Sequence, residues 1–388
     1  MQTTSIRPEL LKLLIGKNED HDETDFLKKI TYAFNLIVNN DVPTEVHELL
    51  RDTQGIPLTK KDGDIRPIGL REGYTNIAIK AALKQINTEQ IFDGINYALA
   101  GKNQMDSLIG ISKHSFIATP KHDKIFIDFK NSFNNSDRNP AAKAILEECP
   151  DLGYLYYFLY SKASNIWLKD ETSDWKALMI ETGCVQGCVL GPYVFGFATL
   201  EAYRSAKQTL NNKPDAIFGA FSDDVFISAL TTDSILAFNT LTDECKACGL
   251  SVNFKPGKTV VLLGECDDSL EVGPKIEQYM RLGFPLENIR IHPNNGGDNN
   301  LYGYIHLGIP QGSDEYQKIA LKKMVDNLIL SSKCDEIIDE VQEKWVYLSL
   351  CVKQKPLFWL RHMCPSITNG ILSDVDNIIR LKFNEIIG

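Results

Sequence analysis

The stretch Ala220-Phe221-Ser222-Asp223-Asp224-Val225-Phe226-Ile227 sets two adjacent acids inside an apolar run. Its pattern predicts a β-hairpin over residues 218–229 with Ser222-Asp223-Asp224 at the tip. Paired carboxylates at the end of a hydrophobic hairpin are costly unless their charge is compensated. A divalent metal is the usual compensation, and a pair of Mg²⁺ ions can run in-line phosphoryl transfer. A second run, Ile125-Phe126-Ile127-Asp128-Phe129-Lys130, also carries an acid at the end of an apolar stretch, and residues 125–129 read as a short buried strand. Taken alone, Asp223-Asp224 reads more readily as a polar turn. Joined by Asp128, it reads as half of a carboxylate cluster.

The rest of the 388-residue chain is consistent with a multi-lobed α+β molecule. Its 43% hydrophobic content supports a sizeable core and argues against disorder along the whole chain. No run reaches the ~18 uninterrupted apolar residues of a membrane span. Met1-Gln2-Thr3-Thr4-Ser5-Ile6-Arg7 lacks the apolar centre of a signal peptide. The expectation is an intracellular protein with no membrane partner, nucleus and cytoplasm being indistinguishable. A net charge of −10 argues against a surface that binds nucleic acid all over, but leaves room for a local basic channel. The nine cysteines are scattered, as suits reduced thiols. Cys184, Cys188, Cys245 and Cys248 can be read as a four-thiolate zinc site or, more simply, as small buried thiols.

Along the chain, residues 26–38 show helical periodicity, and residues 55–71 read as a hairpin turning at Asp62-Gly63. Helical patterning follows over 74–89. Asn139-Pro140 reads as the cap and first position of a helix, and 155–166 as another. Residues 187–200 contain a Gly/Pro break followed by a buried helix. A helix over 232–248 stops at Gly249. Residues 252–253, 259–263 and 304–309 are strand-like, and the Asn/Gly-rich stretch 289–303 reads as an exposed loop. From Asp314 the pattern is helical, with breaks at Pro356 and Pro365.

Five motifs in order resemble the reverse transcriptases of non-LTR retrotransposons, from about residue 55 to about residue 312. They are Ile127-Asp128-Phe129-Lys130-Asn131-Ser132-Phe133, Thr182-Gly183-Cys184-Val185-Gln186-Gly187, Phe221-Ser222-Asp223-Asp224, Gly249-Leu250-Ser251-Val252-Asn253 with Lys258-Thr259, and His306-Leu307-Gly308-Ile309-Pro310-Gln311-Gly312. The resemblance implies a right-hand polymerase with fingers, an antiparallel-sheet palm with a ferredoxin-like core, and a helical thumb. It implies an N-terminal extension over 1–50, fingers and palm over 51–319 (palm core about 121–138 and 180–319) and a thumb over 320–388. The implied activity is RNA-directed DNA synthesis, extending a DNA or RNA primer on an RNA template with dNTPs and two Mg²⁺ ions, Mn²⁺ being able to replace them. Protein partners are not implied.

The resemblance makes Asp128 and Asp223 the metal-bridging acids, facing each other across adjacent strands, with Asp224 in support and the backbone carbonyl of Phe129 as a further metal ligand. Phe133, five residues after Asp128, becomes the residue that bars a 2′-hydroxyl and favours dNTPs. Gln186-Gly187 becomes a tight approach to nucleotide and template, where Gly avoids a Cβ clash. Lys61 and Arg66, flanking the Asp62-Gly63 turn, reach the triphosphate as point charge and fork. Lys258 becomes the general acid toward pyrophosphate. His306, Leu307 and Gly308 become the primer grip.

The chain also departs from the family pattern. Ser222 stands where Ala or Val is usual, Cys188-Val189 replaces a small or acidic residue followed by Pro, and the step from Asn253 to Lys258 is long. No endonuclease region is recognisable before residue 50, and no RNase H or zinc knuckle after residue 320. An isolated core, a truncated element or a domesticated gene is therefore expected. Two rivals remain open: an RNA-templated RNA polymerase, against which Phe133 argues, and an inactive scaffold that binds nucleic acid or protein.

Overall fold

Short apolar runs pair into sheets here, while longer amphipathic runs form helices that cover them. The computed structural model describes residues 22–59, 63, 65–170, 172–333 and 337–387. Among these, the strands in chain order are β1 (Thr53–Thr59), β2 (Ile65–Arg71), β3 (Asp123–Ile127), β4 (Ser164–Lys169), β5 (Trp175–Ile180), β6 (Ile217–Phe221), β7 (Asp224–Ala229), β8 (Val260–Leu262), β9 (Ile289–Arg290), β10 (Gly303–His306) and β11 (Ile309–Gly312). Two units divide the chain. One takes the described residues of Met1–Gly101, Phe129–Gln208 and Thr240–Val252; the other takes Lys102–Asp128, Thr209–Asn239 and those of Asn253–Gly388. No described helix is long and apolar enough to cross a membrane.

The first unit contains a four-stranded sheet in the order β2-β1-β4-β5. β1 and β2 form the expected hairpin, in register from Thr53↔Arg71 to Thr59↔Ile65. β4 joins β1 in parallel, with Thr53 opposite Ile166. Asp52 fixes that pairing, because its carboxylate accepts from Asn165 N (2.8 Å), Asn165 Nδ2 (3.2 Å) and Trp167 Nε1 (2.8 Å). The single helix expected over 155–166 is corrected here: a helix Gly153–Tyr160 ends before β4, which forms an antiparallel hairpin with β5. A second correction concerns the helix Arg138–Glu148. Its cap is Asp137, whose Oδ1 accepts from Asn139 N at 2.9 Å, so Pro140 is the third helical residue. The helix Gly191–Thr209 is buried along much of its length.

The second unit is built on a five-stranded sheet in the order β6-β7-β3-β8-β9. β3 is buried throughout and runs antiparallel to both β7 and β8. Phe126, Phe226, Val260, Leu262 and Tyr302 pack together on it, and the Tyr304 ring stacks on Phe126 with centroids 4.6 Å apart. Two sequence expectations change. The 289–303 stretch begins as a strand, since β9 joins β8 in parallel and Leu263 N donates to Arg290 O at 2.8 Å. Residues 304–309 are not one strand but parts of the β10–β11 hairpin, which turns at Leu307-Gly308. The helices after Asp314 enclose a separate core that includes Leu321, Val325, Leu348, Trp359 and Ile386. The α-helical run is interrupted just before Pro356: it ends at Tyr347, winds more loosely over Leu348–Val352, and restarts at Gln354. Pro356 lies in the first turn of the helix Gln354–His362, where its missing N–H costs little.

Candidate active site

The carboxylates come together because of hairpin register. Phe221 pairs with Asp224, so Ser222 and Asp223 form a two-residue turn and Asp224 opens β7. Ser222 has φ +60°, the left-handed conformation that tight hairpin turns demand. β3 ends at Ile127 opposite Val225, so Asp128 and Asp224 are the next residues beyond that pair. The expectation set Asp128 against Asp223 across adjacent strands. The register instead gives that position to Asp224 and puts Asp223 in the turn, because the turn takes two residues and not three.

The clustering sets the charge balance of the site. The Asp224 carboxyl is pushed up to about 7, first by burial, then by the negative charges of Asp223 and Asp128, with Lys258 pulling the other way. The Tyr304 phenol is raised by burial and by Asp224 and Asp128 in turn. A site that resists its own ionisation through excess negative charge suits a cation. Asp128, Asp223 and Asp224 offer carboxylate oxygens, the donor type that a hard divalent cation takes. Among the described residues, no group of three or more His, Cys, Asp or Glu side chains is placed to hold a metal ion.

The Asp128 carboxylate has partners of its own. Asn253 Nδ2 donates to its Oδ2 at 2.7 Å, and Lys258 Nζ stands 4.0 Å from its Oδ1. The backbone of Asp128 is clamped too. Asn253 N donates to its carbonyl at 2.8 Å, and the Thr259 hydroxyl accepts from its N at 3.1 Å and donates to its carbonyl at 3.2 Å. The long step from Asn253 to Lys258 is an ordered loop. Thr259 N closes it on Asn253 O at 3.1 Å. The buried Asn288 holds its crest, donating to the carbonyls of Phe254 (3.2 Å) and Lys255 (3.1 Å) and accepting from Gly257 N (2.8 Å). Tyr304 OH donates to Lys258 O at 3.0 Å. Asn253 and Thr259 both lie in the fourth of the five motifs, but nothing in the sequence marked them or Asn288 as partners of Asp128.

The 306–308 turn, expected as a primer grip, belongs to the same unit. His306 pairs with Ile309, and Leu307 (φ +49°) and Gly308 (φ +80°) make the turn. Gln311 Nε2 donates to Ser112 Oγ at 2.9 Å, and Ser112 Oγ donates to Ile109 O at 3.1 Å. The Ser112 proton being used, His306 Nδ1, at 3.3 Å, is the donor to Ser112 Oγ. The His306 ring is buried and neutral, its pKa pushed down to about 3 by burial. It therefore holds the hairpin from within, and the exposed position of the turn is Gly308.

The remaining candidates belong to the first unit. Gln186-Gly187 sits in a turn closed by Cys188 N donating to Val185 O, and Gln186 O accepts from Gly69 N at 2.7 Å. Gly187 has φ +96°, and a Cβ there would lie 2.8 Å from Ile68 Cγ2 and 2.9 Å from Gly69 O. The glycine is thus required by β2 itself, a reason the sequence did not offer. Phe133 is half-buried and stacks on Phe195 at 4.7 Å, and its carbonyl accepts from Cys184 N at 2.8 Å. Phe129 is buried and bridges to Val252 through bonds that use the carbonyls of Asp128 and Ser251, leaving its own outside the bridge. Arg66 is exposed on β2 opposite Leu58. Lys61 lies outside the described residues. Cys184, Cys188, Cys245 and Cys248 are all buried. Burial raises the thiols of Cys184, Cys245 and Cys248, the last to about 11.

Residues 58–313 match the family model described as reverse transcriptase (RNA-dependent DNA polymerase). That stretch is well over half of the chain, and the chain belongs to this family. The expected likeness to reverse transcriptases of the non-LTR type holds, as does the α+β polymerase fold. The retrotransposable element SLACS 132 kDa protein of Trypanosoma brucei gambiense is 25% identical over 253 residues, 64% of this chain and 21% of that protein. The chain thus spans about a fifth of that relative's length. Telomerase from Candida albicans, solved with a fragment of telomeric RNA, is similar with a TM-score of 0.48 at 12% identity, covering 89% of this chain and 56% of that one. Apo telomerase from Candida tropicalis gives 0.44 at 12% identity, over 57% and 51%. Membership of the family carries its general dependence on a divalent metal.

Proposed function

We propose that this chain extends a primer 3′ end with dNTPs on an RNA template, as an RNA-directed DNA polymerase of retroelement origin. The observation that carries this reading is the convergence of Asp128 with the Asp223-Asp224 hairpin, felt as the raised carboxyl of Asp224. Asp128, Asp223 and Asp224 would hold two Mg²⁺ ions, with Mn²⁺ able to replace them. Bound there, the metals supply activation of the primer 3′-hydroxyl and neutralisation of the triphosphate.

The chain's own residues do the positioning. Thr259 and Asn253 fix the backbone of Asp128, and the Ser222-Asp223 turn presents the second acid from a rigid hairpin. Lys258, 4.0 Å from Asp128 Oδ1, offsets the carboxylate charge and would give a proton toward pyrophosphate. The 164–180 and 53–71 hairpins serve as fingers, the β3-centred sheet as palm, the helices after Asp314 as thumb, and the β10–β11 turn as primer grip. Phe133, braced by Phe195, is the sugar-sensing residue that the motif implies.

Primer extension on a primed RNA template tests the reading. DNA synthesis by the wild type, abolished in Asp223→Ala, is expected; synthesis that survives the substitution would remove it. Phe133→Ala should raise rNTP use relative to dNTP, whereas a wild type already preferring rNTPs would favour an RNA polymerase. The net charge of −10 favours a second reading, a non-catalytic scaffold. Salt-sensitive RNA binding with no nucleotide incorporation would support it.

A further inference from the structure

We propose that Asn253 is a positioning residue for Asp128, holding one carboxylate oxygen so that the other faces the cation; this rests on the metal-dependent reading above. The Asn253 amide can face only one way. Its Oδ1 accepts from Lys255 N at 3.3 Å, which directs Nδ2 to Asp128 Oδ2 at 2.7 Å. Asn253 is buried, and its main chain is tied at both ends, N to Asp128 O and O to Thr259 N. The loop that presents it is fixed in turn by the fully buried Asn288.

The consequence is a division of labour between the two oxygens of Asp128. A neutral amide donor satisfies Oδ2 without bringing a charge of its own. Oδ1 faces Lys258 at 4.0 Å, a loose pair with a half-exposed lysine that a divalent ion can displace. A donor that fixes a ligand's rotamer in this way raises metal affinity by preorganisation, and removing such partners costs roughly 10- to 100-fold.

The test is Mn²⁺ binding, read by electron paramagnetic resonance without nucleotide turnover, on the wild type, Asn253→Ala and Asn253→Asp. Asn253→Ala is expected to weaken Mn²⁺ binding about ten-fold. It should raise the cation concentration for half-maximal synthesis by a similar factor, with the KM for dNTP unchanged at saturating cation. Asn253→Asp keeps the side-chain size and the acceptor for Lys255 N but sets a carboxylate against Asp128. Its Tm should fall in chelator and recover on adding Mn²⁺, by more than the wild type's own response. Binding by the wild type that Asn253→Ala leaves unchanged would overturn the inference alone. So would an Asn253→Asp Tm with no added cation response. No Mn²⁺ binding by the wild type would overturn the metal-site reading, and the inference with it.

Discussion

Asp224 records, at the scale of one residue, the conflict built into the site. Its folded carboxyl titrates near 7 and its unfolded one near the ordinary 3.8. Between these values the folded chain binds more protons than the unfolded chain, so stability is fully present below about pH 4 and is lost as pH rises through 7. Without metal, Asp224→Asn should therefore stabilise the protein at pH 8 by up to about 4 kcal/mol, and leave it unchanged at pH 4. Thermal unfolding in chelator checks this; equal Tm shifts at both pH values would contradict it. His306 runs the other way. Its folded pKa of about 3 lies below the unfolded 6.5, so its contribution is intact above pH 6.5 and is lost as pH falls toward 3. Acid titration of stability should show a loss of up to about 5 kcal/mol from this group, and His306→Gln should flatten that limb. The acids themselves were legible in the sequence because carboxylates inside apolar runs stand out. Asn253 and Thr259 were not, because their importance lies in hydrogen bonds to a residue more than a hundred positions away.

Elements show a similar split between local and remote causes. The 53–71 and 217–229 hairpins were readable because turn chemistry and β-formers lie side by side in the sequence. The break at residues 161–163 between helix and β4 was missed: no Gly or Pro marks it, and the polar cluster Ser161-Lys162-Ala163-Ser164-Asn165 was its only signal. What makes Ser164–Lys169 a strand is its pairing with β1 and β5, fixed by Asp52 from far upstream. Glycines separate the two kinds of constraint in a measurable way. Gly183 has φ +66°, and a Cβ there would lie 2.3 Å from the carbonyl oxygen of Phe133 and 2.4 Å from that of Asn134. Gly63 has φ +85° but nothing within 4 Å. Gly183→Ala should cost at least about 3 kcal/mol, adding backbone clash to an unfavourable φ, while Gly63→Ala should cost about 1 kcal/mol. Similar denaturation midpoints for the two variants would show that packing at the Gln-Gly segment is looser than described.

For the whole molecule, the two units partition the candidate residues. Asp128, Asp223, Asp224, Lys258 and the 306–308 turn belong to one, and Arg66, Phe129, Phe133, Gln186 and Gly187 to the other. Motif order along the chain revealed the family, because each motif is a local pattern and their sequence is hard to produce otherwise. Net charge was a poor guide. A value of −10 sums over the whole chain, whereas the proposed chemistry would depend on a few acids, Asp128 and the Asp223-Asp224 turn. The most direct measurement is the rate of single-dNTP addition to a primed RNA template in Mg²⁺, comparing the wild type with Asp128→Asn. The expected result is addition by the wild type and a fall of at least about 100-fold in the variant. Equal rates in the two proteins, or no addition by the wild type, would contradict the assignment of polymerase chemistry to this carboxylate cluster.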